Sequence, residues 1–255
     1  MGWELVRHAI RMVVFNLTDA LRASIGPFVI ALLLAGIVIT LGGVPMQVLA
    51  GQVPPDQLAF SGSAFLAIVG ILLIYLFTFA WVAVTWHRFI LLEEYPAMIP
   101  PIGGRPIWPY IGRSVGLALI LVVIMIPIGI VASLFVMPFV SSAPLAAGTV
   151  AGIVLGTLFT YFWLRFALCL PAIAMGEEMG IGEAWGISGR ASGGIFAAAL
   201  ILLVLNGLLT LPSGLIGPNP VTALYDIAVT WFVLMVGISM LTTLYGHLVQ
   251  GRDLA

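Results

Sequence analysis

Six stretches of this chain, near residues 23–41, 63–86, 114–135, 146–164, 194–211 and 223–245, are apolar over almost their whole length. About twenty such residues in an α-helix cross the hydrocarbon core of a bilayer. Lipid offers the backbone no hydrogen-bond partner, so a spanning segment must satisfy its own amides, which a helix does. Only 7% of the 255 residues are charged and 62% are hydrophobic, against roughly 25% charged in soluble domains. The expected fold is therefore all-α: one polytopic integral membrane domain of six transmembrane helices, with no room for a separate soluble domain.

Residues 1–22 differ from the rest. Glu4, Arg7, Arg11, Asp19 and Arg22 alternate with Leu5, Ile10, Val13, Val14 and Leu17. That spacing predicts a short amphipathic helix lying in the interface, with Trp3 as anchor; a solvated leader is the plainer account. The apolar run after it is too long and too late for a cleaved signal peptide. Val53-Pro54-Pro55-Asp56 breaks the helix pattern in the first loop. Pro127 is expected to kink the third span, and Pro212, Pro218 and Pro220 to mark a tight turn. The apolar tail Phe166–Met175, interrupted by Pro171, is too short to span again and reads as an interfacial segment.

All nine basic residues are Arg. In a six-span arrangement every one falls on the same side as the termini, with eight of the ten acidic residues. Asp56 and Asp226 fall opposite. The positive-inside rule makes that side the cytoplasm, so both termini are expected there. The lack of Lys has a compositional explanation in a GC-rich bacterial genome.

The chain also resembles itself. Shifted by 77 residues, Trp86, Arg88 and Phe89 fall on Trp163, Arg165 and Phe166, and Trp108, Gly112 and Arg113 fall on Trp185, Gly189 and Arg190. From Trp86 to Phe135, 13 of 50 positions are identical without a gap, where a composition this biased gives about four by chance. The expectation is a tandem parallel repeat, helices 2–3 and 4–5, each with W-x-R-F at a helix end and W-x-x-x-G-R before the next span.

These pairs are the candidate contacts. Trp86 with Arg88, and Trp163 with Arg165, stand where a helix leaves the membrane, with Arg113 and Arg190 at the start of the following span. Trp prefers the headgroup level and Arg snorkels to lipid phosphate. The plainer account is topological anchoring; the sharper one is two equivalent pockets for anionic lipid or a partner. Glu93-Glu94 and Glu177-Glu178 either pair with these arginines or are simply solvated. Gly148, Gly152 and Gly156 form a small-residue strip for close helix packing, inside the bundle or across a homodimer. Asn206 is the deepest strongly polar side chain and reads as an interhelical hydrogen bond.

Catalytic signals are missing. The single Cys169 excludes an internal disulfide and a thiolate cluster. His8, His87 and His247 lack metal-ligand spacing. No G-x-S-x-G, phosphate loop, H-E-x-x-H or dinucleotide fingerprint occurs. Ion-coupled transporters place Asp, Glu, Lys or His at mid-depth, and these spans carry none there; Asp226 stands near one end of the sixth. No catalytic residue, metal, cofactor or nucleic-acid partner is expected.

Trp86-His87-Arg88-Phe89, Leu170-Pro171-Ala172 and Gly182-Glu183-Ala184-Trp185, set on a six-helix plan, resemble bacterial six-helix inner-membrane proteins similar to the membrane domain attached to some glycerophosphodiester phosphodiesterases. The resemblance implies a multi-pass inner-membrane protein without catalytic residues in this domain. The phosphodiesterase barrel has no counterpart in these residues, so its activity is not implied. The function expected is a non-enzymatic scaffold, assembly factor or accessory subunit, with anionic lipids and other membrane subunits as partners. A small-molecule or lipid transporter or channel is the alternative, and an interfacial membrane enzyme a lesser one.

Overall fold

A computed structural model describes residues 1–44 and 62–254. The first-loop breaker Val53–Asp56 lies outside them. Helix α1 spans Gly2–Phe15, α2 Leu17–Gly42, α3 Gly62–Leu92, α4 Ile107–Val136, α5 Pro144–Phe166, α6 Cys169–Met175, α7 Ile181–Gly189, α8 Ser192–Ile216 and α9 Pro220–Leu248. Six of the described helical stretches are long and apolar enough to cross a membrane, and the chain is a multi-pass membrane protein.

Helix α9 is the central post. Over its most apolar window 56% of residues are buried, against 6% for the span that contains α4. It packs against α1, α8, α3 and α6. Helix α2 lies along α3, and α5 between α4 and α8. The outer faces carry exposed Leu33, Leu72, Val123 and Leu134, as expected where the solvent is lipid.

Helix α1 forms as the amphipathic spacing predicts, but its apolar stripe covers protein. Leu5, Val6, Ala9 and Val13 are fully buried against α8 and α9. Trp3, Val14 and Leu17 stay exposed. Burying the stripe at i, i+4 and i+8 removes more apolar surface than laying it on headgroups. The Asn16 side chain donates to the Met12 carbonyl at 2.8 Å, and the chain bends there into α2, which begins earlier than the apolar run does.

Other boundaries also move outward. Helix α3 continues six residues past Trp86, so W-x-R-F lies within its last two turns. Helix α4 starts at Ile107, ahead of Arg113. Pro212 lies inside α8, and the turn falls at Gly217–Asn219. The tail after Phe166 forms the short helix α6 rather than lying open to headgroups: every residue from Cys169 to Ala174 is buried, enclosed by α3, α4 and α9.

The glycine strip is only partly a packing surface. A Cβ at Gly156 would meet Leu203 of α8 at 3.1 Å, but one at Gly148 or Gly152 would meet nothing within 4 Å. The Gly148 and Gly152 face of α5 is turned away from the bundle. Close approach occurs instead at Gly26, where a Cβ would collide with the Met98 carbonyl. Gly26→Val should therefore lower the melting temperature in mild detergent by several degrees, as overpacking against backbone does. Gly152→Leu should leave it unchanged, which a paired thermal melt decides.

Candidate functional site

The last two turns of α3 are long and apolar on most sides, so the polar residues there are held where α4, α6 and α9 can meet them. Trp86 is fully buried and donates from Nε1 to Ser239 Oγ of α9 at 2.8 Å. His87 is fully buried as well. Its Nδ1 lies 2.9 Å from Thr242 Oγ1 and its Nε2 3.3 Å from the Tyr110 hydroxyl. The Thr242 hydroxyl already donates to the Ile238 carbonyl, so it must accept from Nδ1–H. Nε2 then accepts from Tyr110, and a neutral imidazole closes the network. One histidine thus ties α3, α4 and α9 together.

Arg88 points to the other side of α3. It donates from Nε and NH2 to the Glu94 carboxylate at 3.0 and 2.6 Å, and from NH1 to the Ala174 carbonyl at the end of α6 at 2.9 Å. Arg105 pairs with the same carboxylate. The chain can fold back this way because Glu93 adopts φ 57°, the left-handed turn that ends a helix. The hydrogen bond from Arg88, followed by that from Arg105, holds the Glu94 carboxyl below the usual carboxylate range despite some desolvation. A depressed folded pKa stabilises above the unfolded value, and that stability is lost as pH falls through the folded one. Acid should therefore loosen the parent below about pH 4, while Glu94→Gln should start less stable at pH 7 and lose less on acidification. Melting temperatures from pH 7 to 3.5 test this.

The residues that align 77 positions further on meet unlike partners. Arg165 is 7% exposed. It donates from Nε to Ser188 Oγ at 3.1 Å, from NH1 to the Tyr161 hydroxyl at 3.0 Å and from NH2 to the Trp185 carbonyl at 2.7 Å. Its guanidinium carbon lies 3.4 Å from the centre of the Trp185 ring, which stacks in turn on Phe166. Trp163 is half-buried. Trp108, which aligns with Trp185, is exposed, its ring tilted against Phe77 at 5.5 Å.

Arg113 reaches the Met179 carbonyl at 3.3 Å. Glu177 accepts from the Tyr245 hydroxyl at 2.7 Å and takes no arginine. Arg190 is exposed, and its side chain makes no hydrogen bond or ion pair among the described residues. Arg7 and Arg11 are exposed on α1, Arg11 over the Phe15 ring. The sequence reading weighed His87 only as a metal ligand and missed Tyr110 and the Ser239 and Thr242 hydroxyls that meet Trp86 and His87. The readable signal was the run of hydroxyls Ser239, Thr242 and Thr243 in the C-terminal half of α9.

Asn206 makes no interhelical hydrogen bond among the described residues. It is exposed and lines a cleft of about 200 Å³ with Thr160, Leu202, Leu203, Leu205, Phe232, Val233, Val236 and Gly237. Comparison with protein-family models, curated proteins and solved structures found no match.

Proposed function

We propose that this chain is a non-enzymatic component of a bacterial inner membrane, a scaffold or accessory subunit whose termini and Glu94 and Glu177 loops face the cytoplasm. The observation that carries the reading is how the conspicuous polar groups are spent. The donors of Arg88, the ring of His87 and all three arms of Arg165 are engaged by the protein's own carbonyls, hydroxyls and carboxylate. They brace helix ends against one another and leave no activated nucleophile or open anion pocket among them. The tandem repeat supplies the plan, two hairpins sharing one orientation, and the arginines at one end supply the cytoplasmic assignment.

Arg7, Arg11 and Arg190 remain for anionic headgroups, each worth about 1 kcal/mol near a charged surface. Met1 lies against Gly194, which places α1 at the Arg190 end. Native purification in mild detergent, with proteins and lipids identified by mass spectrometry, tests both parts. A membrane subunit should co-purify in fixed ratio. Neutralising Arg7, Arg11 and Arg190 together should release anionic lipid, and neutralising Arg88 with Arg165 should lower stability more than lipid content. A chain that purifies alone and moves solute in liposomes would transfer the reading to transport.

A further inference from the structure

The cleft among α5, α8 and α9 holds polar groups with nothing to bind. Neither the Asn206 amide nor the Thr160 hydroxyl has a hydrogen bond among the described residues. One turn along α5, the Thr157 hydroxyl is buried and also without a partner. Unsatisfied polar groups cost most in hydrocarbon, and several on two facing helices call for a common explanation. Depth narrows it. Asn206 stands two residues past the midpoint of α8, Val233 and Val236 beside the midpoint of α9, and Thr160 five residues past the midpoint of α5. Phospholipid headgroups do not reach that depth. The lining carries no charge, which an ion would need. Gly237 leaves the wall open, since a Cβ there would meet nothing within 4 Å. The volume of about 200 Å³ exceeds the roughly 150 Å³ cavity that accepts benzene, so a substituted six-membered ring fits.

We propose that this cleft binds a neutral, bilayer-dissolved molecule with carbonyl oxygens on a ring-sized head, the chemistry of a prenylated quinone. The Asn206 amide and the Thr160 hydroxyl donate to its carbonyls, while Leu202, Leu203, Phe232 and Val236 cover the ring. The inference is independent of the scaffold reading, because it concerns mid-membrane residues that take no part in the cytoplasmic network.

The test uses the full chain in nanodiscs, with empty nanodiscs subtracted. The probe is 2-decyl-1,4-benzoquinone, and decylbenzene is the same shape without carbonyls. The quinone should bind saturably, and decylbenzene should compete about tenfold less well, the size of one net hydrogen bond. Thr160→Val with Asn206→Leu should weaken quinone binding at least about tenfold. Gly237→Val should abolish it by filling the cleft. Both variants should melt at or above the parent temperature, because each puts apolar atoms where hydrocarbon is tolerated. Equal binding of quinone and decylbenzene overturns the proposal, as does unchanged binding in the double variant. It is also overturned if Asn206→Leu halves the particle mass, which would make the amide a helix-pairing group.

Discussion

Trp86→Ala should be among the most damaging single substitutions in the chain, costing about 3–5 kcal/mol in a reversible detergent-unfolding measurement. The indole is wholly enclosed, packs 5.5 Å from the Phe89 ring, and donates to Ser239 on the central helix. Truncation leaves a cavity at a junction that cannot collapse, because α6 and α9 are fixed around it. Trp86→Phe keeps the ring and loses the bond, and should cost about 0.5–1.5 kcal/mol, since interhelical hydrogen bonds in membranes are modest. Trp163→Ala, at a half-buried position, should cost clearly less than Trp86→Ala. If Trp86 and Trp163 were equivalent headgroup anchors, the two alanine variants would behave alike, and that result would refute the packing account.

How far the sequence could be read depends on the element. All six spans were visible, because a run of apolar residues long enough to cross a bilayer has few other uses. Their ends were not. His87 and Arg88 look like a helix leaving the membrane, yet α3 runs on to Leu92 because both side chains are satisfied inside the protein. Arg113 likewise looks like a boundary and sits within α4, reaching a carbonyl of the chain across from it. The same blindness affects faces. In water, an apolar stripe marks the buried side of a helix; in lipid, both sides are apolar. Hence Gly148 and Gly152 read as packing residues although they face outward, and nothing in the sequence of α6 announced that protein encloses it on every side. Asn206 was found by its rarity, but its missing partner appears only in three dimensions. The 77-residue match gave the pairs of Trp and Arg, yet Glu94 aligns with Pro171, so the two arginines could not have the same partner.

Arg165 separates charge from geometry more sharply than any other residue here. Its guanidinium is almost fully buried, has no carboxylate among its hydrogen-bond partners, and is held by two hydroxyls, one carbonyl and the face of Trp185. Lysine keeps the charge but has no planar fork to reach three acceptors and no flat surface to stack. Arg165→Lys should therefore cost about 2–3 kcal/mol, leaving a buried ammonium short of partners. Methionine removes the charge together with its desolvation. It orphans little, because the Tyr161 hydroxyl still meets Ser192 Oγ and the Ser188 hydroxyl still donates to the Trp185 carbonyl. Arg165→Met should stay within about 1 kcal/mol of the parent. The expected order is parent, then Met, then Lys. A topological signal read by the insertion machinery would give the reverse, since Lys satisfies the positive-inside rule as well as Arg does and Met does not. Folded yield and unfolding free energy of the two variants, measured side by side, distinguish a residue that orients the chain from one that locks α5 to α7.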